Sequence, residues 1–170
     1  MSQMSVGENE NINTIQGSTV LKNYVDSVSL LERLHRLLLD MLKWELDSAG
    51  HTQVNNIQAL LLYNIGDSEM SAGELRSRGH YLGSNVSYNL KKLVQCGYIN
   101  HERSVEDRRS VRVRLTPAGH SIRKLVCEMY TRQSKLLKEA GVLGSEEFTA
   151  LNISLMALEN FWQSQLNRRS

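Results

Sequence analysis

The sequence is poor in several residue types that mark particular classes of protein. Among its 170 residues there are one proline, two cysteines and 6% aromatic residues. One proline and 11 glycines exclude collagen-like and proline-rich chains. The longest unbroken apolar run, Ala59–Tyr63, is far shorter than the roughly 20 residues that a membrane-spanning helix requires. The remaining composition, 41% hydrophobic and 22% charged, is typical of one globular domain or of a small domain with helical extensions.

The first residues and the cysteines indicate a cytoplasmic location. Residues 1–17 are polar and lack the apolar core and basic start of a secretory signal, so we expect them to form a flexible N-terminal arm. Cys96 and Cys127 are too few for a disulfide framework, which fits a reducing compartment. Cys96 ends a predicted helix and Cys127 lies beside Val126 in another, and we expect both thiols to be packed.

The sequence also lacks the motifs of catalysis. It contains no phosphate-binding G-x-x-x-x-G-K-[ST] loop, no G-x-S-x-G nucleophile turn and no H-E-x-x-H metal motif. The five histidines are scattered, with no pair at i, i+4 and no Cys-x-x-Cys motif, so they predict no zinc site. We therefore expect neither an enzyme nor a bound metal or cofactor.

The formal net charge of +2 hides an uneven distribution. Residues 71–115 hold nine lysines and arginines against four acidic residues, a balance of +5, which leaves −3 for the rest of the chain. A basic middle between mildly acidic ends favours a segment that faces a polyanion, although an ordinary solvated surface gives the same balance.

Apolar spacing predicts a mostly α-helical chain that begins with two helices. The first is predicted from about Ser18 to Ala49 and the second from about Val54 to Ile65. Between Leu30 and Trp44 apolar residues surround most of the first helix, which is typical of a helix buried on more than one side. One neighbour in the same chain would not cover it, so we expect a second subunit to do so.

The middle of the chain carries the signals of a helix pair. Ser71 and Glu74 match a capping box, which predicts a short helix that ends near Gly79. Its neighbour is predicted from Gly83 or Ser84 to about Cys96. The glycine that follows, at position 97, is typical of a helix end.

A charged β-hairpin and two long helices follow. Strands are predicted at Tyr98–Ser104 and Ser110–Leu115, joined by the polar turn Val105–Arg109. Thr116 and Pro117 predict a helix that runs to Gly141, and Ser145 is predicted to cap the last one. This order predicts a winged helix-turn-helix domain over residues 54–116, between helical regions at residues 18–50 and 117–168.

The second helix of the pair is predicted to enter the major groove of DNA. With Val86 at the centre of the buried face, the opposite face and its flanks carry only hydrogen-bonding or cationic side chains. No carboxylate lies between Ser84 and Cys96, whereas an ordinary solvated helix face usually carries some. The predicted DNA contacts on this helix are Ser84, Asn85, Ser87, Tyr88, Lys91 and Lys92, with Gln95 on the same face.

Residues 107–119 carry a family resemblance. The stretch reads DRRSVRVRLTPAG, an acid–arginine turn, a strand ending in Leu-Thr and a glycine in the helix that follows. This pattern resembles the wing of the MarR family of bacterial transcription regulators, and the flanking helices extend the resemblance from about Ser18 to Leu166. The resemblance implies that Arg109 enters the minor groove and that Asp107 braces it. A simple salt bridge within the hairpin is the alternative. Arg112, on the outward face of the second strand, completes the predicted DNA contacts.

The resemblance further implies a homodimer, with residues 18–50 and 117–168 as its helical dimerisation region. This dimer is expected to bind a palindromic operator in double-stranded DNA, with repression as the expected effect. The resemblance also implies a small aromatic or phenolic effector, bound in an apolar pocket. The residues predicted to line that pocket are Leu38, Leu42, Trp44, Leu61 and Tyr63, although the same stripe is typical of plain core. In its long N-terminal arm the chain resembles the alphaproteobacterial branch of the family, whose members control L,D-transpeptidase genes.

A second function class stays open at this point. A winged helix can bind an acidic protein through its basic face without reading DNA sequence, because a fold does not determine a function. Such a module would show no preference for any duplex sequence over random DNA.

Overall fold

The computed structural model describes residues 6–67, 69–71, 74–75, 83–103 and 111–168. This part of the chain is mostly helical and includes a small antiparallel sheet, which confirms the predicted fold class. Its helices are α1 (Val6–Ser48), α2 (Asn56–Ile65), α3 (Gly83–Gln95), α4 (Pro117–Glu139) and α5 (Ser145–Asn167). Its strands are β1 (Met70–Ser71), β2 (Ile99–Arg103) and β3 (Val111–Leu115).

The sheet contains the predicted hairpin and one further strand. β2 pairs with β3 in antiparallel register, with Ile99 opposite Leu115. Strand β1, which the sequence analysis missed, pairs with the other edge of β3 and places Met70 opposite Val113. Val113 and Leu115 are buried whereas Arg112 is exposed, so the predicted alternation of β3 is confirmed. The predicted turn 105–109 lies outside the described residues.

The first helix begins earlier than predicted. The sequence pattern predicted a start near Ser18, but α1 begins at Val6, inside the segment expected to be a flexible arm. The prediction relied on apolar spacing, which marks only the part of a helix that packs against something. A polar segment that continues a long helix gives no such signal, because extending an existing helix adds a backbone hydrogen bond without a new nucleation cost.

Helix starts follow the predicted capping chemistry, with one correction. The Glu74 carboxylate accepts from the Ser71 N–H at 2.6 Å and the Ser71 hydroxyl accepts from the Glu74 N–H at 3.1 Å, so the predicted capping box is confirmed. The extent of the helix that follows it lies outside the described residues. Ser145 was predicted to cap the last helix, but the cap is Gly144, whose N–H donates to the Glu147 carboxylate at 2.9 Å.

A second capping box at α2 had escaped the sequence analysis. The Asn55 side chain accepts from the Gln58 N–H at 2.8 Å, and the Gln58 side chain accepts from the Asn55 N–H at 3.1 Å. The Asn56 amide donates to the Leu39 carbonyl oxygen at 3.1 Å, which ties the start of α2 to α1. Asn followed three residues later by Gln is a visible capping signal, and it could have fixed this start.

The chain divides into two compact units, residues 1–123 and 124–170, and the division falls inside α4. In the first unit a core of apolar side chains joins the end of α1, α2, α3 and the sheet. Its most deeply buried members are Leu42, Leu46, Leu61, Leu62, Ile65, Leu75, Val86, Leu93, Ile99, Val113 and Ile122. The second unit contains the rest of α4 and all of α5. None of the helices in the described part of the chain is long and apolar enough to cross a membrane.

Gly119 lies against the sheet, where a side chain would not fit. A Cβ built on Gly119 would collide with the backbone carbonyl oxygen of Tyr98, which accepts a hydrogen bond from the Thr116 N–H at 3.1 Å. Helix propensity alone predicts that Gly119→Ala stabilises the protein by up to about 1 kcal/mol. We expect the opposite, a loss of about 1–3 kcal/mol, because a backbone atom must move.

Thermal unfolding of Gly119→Ala shows whether the substitution raises or lowers the stability of the protein. Each kcal/mol corresponds to a shift of about 2–4 °C in melting temperature in a chain of this size. Ala118→Gly is the matched control, because Ala118 is exposed in the same helical turn and reports helix propensity alone. A higher melting temperature for Gly119→Ala than for the wild type would show that the close contact is not rigid.

Candidate nucleic-acid interface

Helix α3 presents one buried and one exposed face. Val86, Leu90 and Leu93 are buried, as the apolar spacing predicts, whereas Val94, which the same spacing predicts to be buried, is 36% exposed. Ser87, Tyr88, Lys91, Lys92 and Gln95 are exposed, with 62% of Tyr88 accessible. The rotation of α3 about its own axis therefore agrees with the predicted DNA-facing surface, and this surface carries no carboxylate.

The structure does not place every predicted contact. Ser84 and Asn85 lie in the first turn of α3, but their side chains are outside the described part of the chain. Asp107 and Arg109 also lie outside it, so the arginine in the minor groove and its acidic brace stay predictions. The backbone of β2 and β3 leads to this turn from both sides, which fits the expected wing.

The end of α3 is fixed to the strand that follows it. Gly97 has a φ of 75°, a backbone conformation that favours glycine, and the Tyr98 N–H donates to the Leu93 carbonyl oxygen at 2.9 Å. The Thr116 hydroxyl donates to the Gly97 carbonyl oxygen at 2.7 Å and accepts from the Gly119 N–H at 3.2 Å. One side chain thus caps α4, as predicted, and also holds α3 against the start of α4.

Cys96 does not have the packing role that was predicted for it. Its side chain is exposed, because it follows the last residue of α3 and lies off the buried stripe. Cys127 is partly buried in α4, which agrees with packing.

Arg112 is engaged by an acidic residue that the sequence analysis had overlooked. Glu69, directly before β1, lies 3.8 Å from the Arg112 guanidinium and 2.6 Å from that of Arg114. One carboxylate therefore offsets part of the positive charge that β3 presents on its exposed face. Because surface ion pairs contribute only about 0–1 kcal/mol, a phosphate can compete for either arginine. Strand β1 brings Glu69 here, and no spacing in the sequence signals such a short strand.

A cavity of about 370 Å³ adjoins the Tyr88 and Lys92 edge of α3. Its other walls come from the end of α1, the loop that follows it and the first turn of α2. They are Lys43, Leu46, Asp47, Thr52, Gln53, Val54, Asn55, Asn56 and Gln58. No pattern in the sequence predicts this site, since three separate segments form it.

The predicted effector pocket does not coincide with that cavity. Leu42 and Leu61 are fully buried in the core, whereas 66% of Trp44 is exposed. Leu38 and Tyr63 are half-buried. None of the five lines the cavity beside α3, so the effector pocket stays a prediction.

Comparisons with known proteins agree with this geometry. A family model described as "Winged helix DNA-binding domain" matches residues 54–119, which nearly coincide with the domain predicted over 54–116. The exopolysaccharide II synthesis transcriptional activator ExpG of Rhizobium meliloti (strain 1021) is 40% identical over 106 residues. Those residues are 62% of this chain and 55% of ExpG, so the chain spans about half of that relative's length.

Solved structures share the architecture at low sequence identity. Streptococcus pneumoniae FabT, solved in complex with DNA, is 20% identical, with a TM-score of 0.64 over 84% of this chain and 99% of FabT. AbsC, a MarR family regulator from Streptomyces coelicolor, is 18% identical, with a TM-score of 0.65 over 81% of this chain and 93% of AbsC. Residues 54–119 therefore match a winged helix domain, and the chain shares the fold of solved MarR family regulators.

Proposed function

We propose that this protein is a transcription regulator that binds duplex DNA by inserting α3 into the major groove. The observation that carries the proposal is the exposed face of α3, which has two lysines, a tyrosine and no carboxylate. Hydroxyl groups bond base edges or phosphates, and lysines supply attraction that is independent of sequence. The matching domain model and the DNA complex of FabT support the same reading.

The proposed working unit is a homodimer. Leu30, Leu34, Leu37, Met41 and Trp44 follow one another in α1 at steps of four and three residues, and each is 42–66% exposed. Such steps place them on one face, which is distinct from the face that buries Leu42 and Leu46. In a monomer this continuous apolar stripe would be exposed to water, whereas a second copy of the chain would cover it. A two-fold dimer presents two α3 helices to the half-sites of a palindrome.

The wing completes the proposed interface. Arg109 is proposed to enter a narrow minor groove, whose negative potential attracts a guanidinium, with Asp107 orienting it. Arg112 stands on β3, the strand that leads out of this turn, and would exchange its contact with Glu69 for a phosphate. Ser84 and Asn85, at the start of α3, would face the bases nearest to the helix N-terminus.

The proposal has two further parts: whether binding represses or activates transcription, and which kind of effector controls it. Repression was expected from the family resemblance, whereas the relative ExpG is named as an activator, which supports activation as the alternative. A small aromatic or phenolic effector is proposed to act by shifting the dimer between DNA-competent and incompetent geometries. Control of L,D-transpeptidase genes stays a prediction.

Selection from a pool of random duplexes tests the proposed function. We expect the purified protein to enrich a palindrome whose half-sites lie about one helical turn apart, and to bind it at least about 1,000-fold more tightly than random duplex. Affinity should fall steeply with salt, because phosphate contacts release counterions. Equal affinity for all duplexes would instead favour the protein-interaction module.

A further inference from the structure

The cavity beside α3 shares two residues with the proposed DNA surface. Tyr88 and Lys92 are one helical turn apart, and they form both the edge of that surface and one wall of the cavity. Lys43 and Asp47 of α1 also line the cavity, and Thr52, Gln53 and Asn55 add polar groups. Nine of its eleven lining residues are polar or charged, whereas the sites that hold drug-sized molecules are lined mainly by apolar side chains.

The position of the cavity determines which part of the DNA lies next to it when α3 is in the major groove. A helix in the major groove, which is about 12 Å wide, has a sugar–phosphate strand along each side. Tyr88 and Lys92 line the cavity from one side of α3, so the strand along that side is the part of the duplex nearest to the cavity. We propose that the cavity binds one backbone phosphate of that strand, with Lys43 and Lys92 as its cationic groups. This inference rests on the proposed function and adds the α1–α2 segment to the interface.

The electrostatics of the cavity fit an anion that displaces an existing ion pair. The Lys43 ammonium lies 2.8 Å from the Asp47 carboxylate, and both side chains are more than half exposed. An exposed pair of this kind is weak, so Lys43 can turn to a phosphate at little cost. The N-terminus of α2 adds a small positive potential, while Asn55 and Asn56 already accept from N–H groups of its first turn. Asp47 then becomes a like charge close to the phosphate.

This arrangement predicts changes of opposite sign for two neighbouring residues. In titrations of the full-length protein with the selected duplex, Lys43→Gln should weaken binding about threefold to tenfold and reduce the dependence on salt. Asp47→Asn should strengthen binding by a similar factor, because it removes the repulsion and frees Lys43. Both effects should be the same on random duplex, since a phosphate contact carries no sequence information.

Lys124→Gln is the matched control. Lys124 forms an exposed i, i+4 pair with Glu128, as Lys43 does with Asp47, but it lies in α4 and does not line the cavity. We expect its affinity to stay within about twofold of the wild type. Circular dichroism of all three variants establishes that the fold is retained.

The outcomes separate the two proposals. If the wild type selects a palindrome but Lys43→Gln and Asp47→Asn both bind like Lys124→Gln, the phosphate contact is wrong and the proposed function stands. If no duplex is bound, both are wrong. If millimolar inorganic phosphate at constant ionic strength raises the melting temperature of the wild type but not of Lys43→Gln, while the two bind DNA equally, the cavity takes a free phosphate and the backbone contact is wrong.

Discussion

Leu34→Glu combined with Leu37→Glu is expected to convert the dimer into a monomer and to abolish tight binding to a palindrome. Both leucines lie in the middle of the α1 stripe, with 58% and 56% of their surfaces exposed in the single chain. In a dimer the two substitutions would place four carboxylates in an apolar contact, and each buried charge without a partner costs several kcal/mol. The dimer dissociation constant should rise by roughly 100-fold or more.

Sedimentation shows whether the variant is a monomer or a dimer, and DNA titration measures its affinity for the palindrome. A monomer offers one α3 helix, so affinity for the palindrome should fall towards affinity for a half-site. Because the leucines are already exposed in the single chain, the winged helix should keep its fold, and circular dichroism should change little. Arg36→Gln is the matched control, since it makes α1 more negative by one charge at a position outside the stripe. A double variant that still sediments as a dimer would show that another surface joins the subunits.

The elements that sequence analysis located well are those with a local physical cause. Ser71 with Glu74, and Thr116 before Pro117, each specify a helix start through bonds within four residues. The alternation in β3 identified its buried face because side chains on a strand point alternately to opposite sides. The exposed face of α3 followed from the helical period and from the single reference residue Val86.

The features that escaped prediction depend on contacts between distant segments. Strand β1 has two residues, too few for any period, and it becomes a strand only because β3 offers an unpaired edge. The contact of Glu69 with Arg112 and Arg114 follows from that pairing and from nothing local. The cavity beside α3 joins α1, α2 and α3, and Lys43 and Asp47 look in the sequence like an ordinary surface ion pair. A sequence pattern predicts which face of an element is polar, but the partner of that face depends on the tertiary structure.

Removing positive charge from α3 and from the wing together distinguishes an ordinary polar surface from a DNA-binding surface, because only the second should lose affinity for DNA. We expect Lys91→Ala combined with Arg109→Ala to weaken binding to the selected palindrome by roughly 100-fold to 1,000-fold. A dimer loses four cationic contacts, and about 0.7–1 kcal/mol for each accounts for that range. The Lys91 substitution should weaken binding to all duplexes alike, whereas the Arg109 substitution should reduce the preference for A/T pairs beside the half-sites.

Lys124→Ala combined with Lys135→Ala makes the same change in net charge on α4, beyond the matched domain, and separates general electrostatics from local contact. Lys91 is exposed on α3, so its loss should not unfold the domain, and the melting temperature should stay within about 2 °C of the wild type. If the α4 variant loses as much affinity as the α3 and wing variant, the long-range charge of the chain explains the binding. If only the α3 and wing variant loses affinity, DNA binds at the face of α3 that carries Tyr88, Lys91 and Lys92. This result would also place a DNA strand beside α3, and the cavity is proposed to bind one backbone phosphate of that strand.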